Sequence, residues 1–273
     1  MTDTTKTPIE YLREAKAQLL EHGWSRSQLV NPDTGCLCAL GGLAAADLGH
    51  EKLLEIVRDY RIGGYSIDKD PYGLFLEDHV LENPVLIEVI QELNTTLARR
   101  DFTHNTLEGS KDMAGVYSFN DGRALSVVDV IVVFDVTIAR LEREQAAKQA
   151  AVEVLETAKK RLEPKNAWTT GSLWHRSRYF NQDCYCALGA IASAVVPNEQ
   201  ISYVLFEEPG PVQDAVKAVS DVVVGEVRKV DEGYAETHDA TVHMNVYRFN
   251  DRIAKGADDV IQVFDEAINN LKG

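Results

Sequence analysis

GCLCALGGLAAA, residues Gly35 to Ala46, returns later in the chain as DCYCALGAIASA, Asp183 to Ala194. Seven of the eleven positions from Cys36 to Ala46 match those from Cys184 to Ala194 at a constant offset of 148. A second pair follows: VYSFND…DVIVVFDVTI from Val116 and VYRFND…DVIQVFDEAI from Val246, with 14 of 26 positions matching at an offset of 130. The chain is an internal duplication. Its 273 residues divide into two units of about 135 residues, a size at which one unit buries its own core without a disulfide or metal.

The stretch itself is rich in small residues: Ala39, Gly41, Gly42, Ala44, Ala45 and Ala46. That composition predicts a buried helix approached closely by other elements. Glycine inside a helix costs about 1 kcal/mol against alanine, so its presence at Gly41 and Gly189 predicts tight packing there.

Working outward, Pro8 opens a helix whose stripe is Ile9, Leu12, Ala15, Ala17, Leu19 and Leu20, and Gly23 ends it. Its counterpart is Ala151 to Leu162, closed by Pro164. Trp24 and Trp168 stand just past the two helix ends, each capping a core with its indole N–H on a carbonyl. Polar loops follow, NPDTG in copy 1 and HRSRYFNQD in copy 2. Pro84 and Pro211 each begin another helix. Copy 1 carries an extra segment, Asp59 to Asp78, which reads as an inserted loop.

VDVIVVFDVTI alone would suit a strand because of its β-branched residues. Copy 2 decides otherwise, since Val260, Ile261, Phe264, Ala267, Ile268 and Leu271 fall on one helical face. Both are therefore helices, with Ser126/Asp129 and Gly256/Asp259 at their starts. No Gly or Pro occurs from Ser126 to Leu162, so one helix of roughly 55 Å is expected to join the copies, a break near Ala146 being the alternative. The fold expected is mainly α: two tandem homologous helical domains, 8–142 (insertion 59–78) and 151–273, with 143–150 a helical connector.

Composition narrows the function. Forty-three acidic and 28 basic residues give a net charge of −15, which repels phosphate and argues against direct nucleic-acid binding. The start, MTDTTKTPIEYL, has no apolar signal core, and no apolar run approaches a membrane span. A cytoplasmic protein is expected, with Cys36, Cys38, Cys184 and Cys186 as free thiols.

Cys-x-Cys is too short a spacing for a common zinc knuckle. Two pairs meeting could form a four-thiolate site, but buried small hydrophobes are the plainer reading, and no metal or cofactor is expected. A Cys–His enzyme would need a paired histidine, and no histidine recurs at a matched position. Asn120-Asp121 and Asn250-Asp251 do recur. Such pairs fix turns by bonding nearby backbone. They could also form the polar lip of a small-ligand or peptide cleft, with Tyr117, Phe119, Tyr247 and Phe249 beneath it.

With these residues in view, the chain resembles an uncharacterised domain family of bacteria and bacteriophages, whose members read W-C-x-x-G-A-L and later W-N-D, followed by an Arg-Thr pair. Copy 1 offers Gly23-Trp24, Cys38-Ala39-Leu40-Gly41-Gly42 and Phe119-Asn120-Asp121; copy 2 offers Trp168, Cys186-Ala187-Leu188-Gly189-Ala190 and Phe249-Asn250-Asp251. Phe stands where the family has Trp, and the Arg-Thr pair is missing, with Arg123 near its place. The resemblance brings no activity and implies a phage or prophage setting.

The expectation is a non-enzymatic binding module for a host protein or small ligand, through Asn120, Asp121, Asn250, Asp251, Tyr117 and Tyr247. One alternative is an acidic polyanion mimic that occupies a basic nucleic-acid-binding protein. The other is a cysteine-dependent enzyme using Cys38 or Cys186.

Overall fold

Thr7 decides where the first helix begins. Its hydroxyl accepts from the Glu10 N–H, and the Glu10 carboxylate accepts from the Thr7 N–H. The structure is a computed structural model, and it describes residues 6–62, 83–100, 113–206, 209–230 and 242–273. The chain divides into two compact units, Met1–Glu142 and Arg143–Gly273.

In unit 1, helix α1 runs Pro8–His22 and buries Tyr11, Leu12, Ala15 and Leu19. Gly23 stops it with φ 86°, a value that suits a residue without a Cβ. Helix α2, Ala39–Leu48, has Ala39 through Ala46 all buried, which its small side chains permit. A Cβ on Gly41 would lie 1.7 Å from the Leu29 carbonyl oxygen, so that position admits glycine only. A Cβ on Gly42 would stand 3.1 Å from the Ala15 carbonyl oxygen, which brings α2 onto α1. Helices α3, His50–Ile62, and α4, Pro84–Arg99, follow; the Asn83 side chain caps α4 by accepting from Val85 and Leu86 N–H. A short α5, Ala114–Ser118, runs directly into a π-helical turn, Phe119–Arg123.

Helix α6, Val127–Leu162, is 36 residues long and passes the unit boundary without a break near Ala146. Its start is fixed by the Asp129 carboxylate, which accepts from Leu125 and Ser126 N–H. Val130, Val133, Phe134 and Ile138 enter the core of unit 1; Ala151, Leu155, Ala158 and Leu162 enter that of unit 2.

Unit 2 repeats the plan. After α6 come β1, Trp174–Ser177, and β2, Gln182–Tyr185, paired antiparallel with Trp174 opposite Tyr185. Helix α7, Ala187–Ser193, is again wholly buried, and a Cβ on Gly189 would lie 1.7 Å from the Leu173 carbonyl oxygen. Helices α8, Ile201–Val204, α9, Pro211–Val230, and α10, Val242–Arg248, lead to a second π-helical turn, Phe249–Ile253, and to α11, Ala257–Lys272.

The mainly α fold, the tandem repeat and the helical nature of VDVIVVFDVTI are all present. One detail differs from expectation. The polar loop of copy 2 is the β1–β2 hairpin, turned by Asn181 at φ 47°, whereas copy 1 has isolated bridges from Leu37 to Trp24 and Val30. Cys38 and Cys186 stand immediately before the small-residue helices, and Cys36 and Cys184 two residues earlier. Of the proposed insertion, Asp59 to Ile62 belongs to α3, and 63–78 lies outside the described residues.

Gly41→Ala and Gly189→Ala should each cost at least about 3 kcal/mol, because the obstructing atom is backbone and cannot swing aside. Gly225→Ala in α9, where nothing lies within 4 Å of the added carbon, should be neutral or stabilise by up to about 1 kcal/mol. Urea unfolding followed by circular dichroism separates these outcomes.

Candidate functional site

The residues that recur between the copies converge on one side chain in each unit. A carboxamide can accept two hydrogen bonds at its oxygen and donate two from its nitrogen. Asn120 uses all four. Its Oδ1 accepts from Trp24 Nε1 at 2.8 Å and from the Ala39 N–H at 3.0 Å. Its Nδ2 donates to the Ser25 carbonyl at 3.3 Å and to Asp121 Oδ1 at 2.7 Å.

Asn250 repeats the pattern, with Trp168 Nε1 and the Ala187 N–H each at 2.9 Å, the Thr169 carbonyl at 3.1 Å and Asp251 Oδ1 at 2.7 Å. The aspartates complete the clamp: Asp121 accepts from the Ser27 N–H at 2.9 Å, and Asp251 from the Gly171 N–H at 3.0 Å. The indole N–H finds an amide carbonyl, as expected, but on a side chain more than 80 residues away in sequence.

Three elements position this amide. The π-helical turn aims it inward. The N-terminus of α2 or α7 supplies an N–H that has no partner within its own helix. The tryptophan arrives from the loop after the first helix. Asn120 is 1% exposed and Asn250 0%, so neither faces solvent.

Cys38 and Cys186 stand beside the same helix starts as N-caps. Cys38 Sγ accepts from the Gly41 N–H at 3.3 Å, and Cys186 Sγ from the Gly189 N–H at 3.4 Å. Burial pushes the Cys38 thiol up from 9.0 to about 12 and the Cys186 thiol to about 11, and the carboxylates of Asp121 and Asp251 add to the rise. At pH 7 the thiolate fraction is then on the order of one in ten thousand or less, which leaves little nucleophile. Cys184 donates to the Asn166 carbonyl at 3.2 Å, and Cys36 is half-buried. His175 stands opposite Cys184 across the hairpin. Among the described residues, no group of three or more His, Cys, Asp or Glu side chains is placed to hold a metal ion.

What reaches solvent at this locus is tyrosine. Tyr117 is 38% exposed and Tyr247 43%, at matched positions one helical turn before each aspartate. Burial raises the Tyr117 pKa above its ordinary value, with the charge and hydrogen bonding of Asp121 adding to it. For Tyr247 the hydrogen bond to Asp251 comes first among the causes. Both phenols stay protonated as donors through the physiological range. The sequence singled out the Asn-Asp pairs and their tyrosines, but it missed the Trp–Asn bond and the thiol caps. The signal available was the recurrence of Trp, Cys and Asn together in both copies.

Asn120→Ala would orphan two buried N–H donors at about 1–3 kcal/mol each, so unit 1 should lose at least about 3 kcal/mol in urea unfolding. Tyr117→Ala, by contrast, should stay within about 1 kcal/mol of wild type. The thiols carry a pH signature. Unfolding returns Cys38 from about 12 to 9.0, so above pH 9 the unfolded chain sheds a proton that the folded chain keeps. Stability should therefore be flat in this respect below pH 9 and fall above it by about 1.4 kcal/mol per pH unit per thiol, up to pH 12 for Cys38 and pH 11 for Cys186. Cys38→Ser with Cys186→Ser, which keeps an N-cap acceptor, should flatten that loss in denaturation curves at pH 8, 9.5 and 10.5.

No curated protein and no solved structure matches the chain. Among families, the match is to one described as a family of unknown function, DUF6197, and it occurs twice, over residues 3–140 and again over 146–270. The two matches coincide with the two units that each carry a Trp–Asn–Asp clamp, a thiol N-cap and a glycine pressed on a carbonyl. The chain therefore belongs to the DUF6197 family and carries two tandem copies of its domain.

Proposed function

We propose that this protein is a non-enzymatic binding module that uses the Tyr117/Asp121 and Tyr247/Asp251 surfaces to take a host protein or small ligand. The observation that carries this reading is the division of labour at the clamp. In both copies the asparagine is consumed inside, while a tyrosine is left outward on a carboxylate that is itself anchored to backbone. A half-exposed tyrosine offers an aromatic face and a hydroxyl at low entropic cost, as recognition surfaces favour. The protonated, buried thiols of Cys38 and Cys186 weigh against the cysteine-enzyme alternative. No helix among the described residues is long and apolar enough to cross a membrane, and the four cysteines are free thiols, in keeping with a reducing cytoplasm. The phage or prophage setting implied by the resemblance belongs to the same proposal.

Affinity capture from host-type lysate tests it, comparing wild type with a Tyr117→Ala, Tyr247→Ala variant whose helix content and unfolding midpoint match wild type. A partner held by wild type and lost by this variant is the expected result. The same partner held equally by both would move the binding surface away from the tyrosines and overturn the reading.

A further inference from the structure

Two surfaces of unit 2 complement each other, and neither has a counterpart in copy 1. The first is the tip of the β1–β2 hairpin. Tyr179 is 94% exposed there and Phe180 56%, adjacent residues at the turn, and Arg176 and Arg178 beside them are exposed as well. From Pro164 to Gln182 the chain has three lysine or arginine residues and no carboxylate, within a protein of net charge −15. Copy 1 has the short NPDTG loop in this place.

The second surface is a groove of about 400 Å³ bounded by α9, the second π-helical turn and α11. Val222, Val223, Ile253 and Val263 supply its aliphatic lining, and Glu226 from α9 and Glu266 from α11 line it as well. Its third carboxylate, Asp259, is occupied with the Lys255 N–H at 2.7 Å. Glu226 and Glu266 are exposed and form no ion pair among the described residues. At the same level copy 1 has Arg99 and Arg100 at the end of α4, Arg123 for Ile253 and Val136 for Glu266.

A solvent-exposed aromatic pair costs solvation, and the fold does not require it, since copy 1 does without. The same holds for two carboxylates beside aliphatic side chains in one groove. A groove of this volume is at the small end of ligand-sized cavities and suits side chains rather than a whole helix. We infer that the aromatic, arginine-bearing hairpin tip of one copy of this protein seats in the acid-rimmed groove of a second copy. Tyr179 and Phe180 cover the aliphatic lining, and Arg176 and Arg178 face Glu226 and Glu266. The occupant is argued from charge: the hairpin is a basic island on an acidic chain, and the groove is an acidic cleft of the same unit. The contact does not use Tyr117 or Tyr247 themselves.

Charge exchange tests it by analytical ultracentrifugation. Wild type should associate as its concentration is raised. A hairpin variant, Arg176→Glu with Arg178→Glu, and a groove variant, Glu226→Arg with Glu266→Arg, should each weaken self-association by at least about tenfold while keeping wild-type circular dichroism. Mixed in equal amounts, the two variants should associate with each other, because each then meets the opposite charge. Tyr179→Ser with Phe180→Ser should abolish association with no change of charge. A wild type that stays monomeric up to millimolar concentration, variants that associate as wild type does, or a mixture that fails to recover would each overturn the inference.

Discussion

Everything in each unit hangs on one carboxamide whose four hydrogen-bonding positions are all filled from parts of the chain that are far apart in sequence. Asn120 ties the residue after the first helix, the first residue of the small-residue helix and its own π-helical turn to a single point, and Asn250 does the same. A hydrogen bond adds little net stability when water is the alternative, yet leaving a buried donor unmade is costly. The clamp therefore acts less as glue than as a constraint: only one arrangement of the three segments satisfies all the polar atoms. The π-helical geometry fits this role. The Ala124 N–H bonds the Phe119 carbonyl and the Ala254 N–H the Phe249 carbonyl, so one residue more than in an α-helical turn is enclosed in the turn that carries the buried asparagine.

Around this constraint the interior has been held and the outside let go. Cys38 with Gly41 and Cys186 with Gly189 make the same cap and the same close approach. Outward positions at the approach to α6 and α11 and in their first turns diverge freely. Leu125, Val128 and Val132 are exposed aliphatics in copy 1, and their equivalents are Lys255, Asp258 and Gln262. A site shared by both copies belongs to the domain as such; a site found in one copy belongs to this protein.

Periodicity made α1, α9 and α11 legible, because each buries one stripe against a core. The first part of α6 was ambiguous in isolation because Val128 and Val132 are apolar on a face that turns to solvent, so amphipathic contrast is lost. Only the second copy removed the ambiguity. Gly41 and Gly189 were readable as packing contacts since nothing else justifies glycine inside a helix. The hairpin of unit 2 was not readable: its strands are four residues each, too short for an alternating pattern to emerge, and its aromatic residues are interspersed with polar ones, as in a loop. The clamp itself was half legible. Asn-Asp stood out through recurrence, but a bond from Trp24 to Asn120 spans 96 positions and leaves no local pattern.

Helix α6 also bears on how far the two copies can be taken apart. Glu142 through Gln149 are eight consecutive exposed residues in its middle, so they are helical without packing and keep that form because the turns on both sides are anchored. There is no loop between the copies at which a stop codon could leave a finished domain. A cut anywhere in this stretch would leave a helix end whose last carbonyls have water as their partner. A separated single domain would therefore carry a frayed helical stub in place of the continuous connection that the intact chain has.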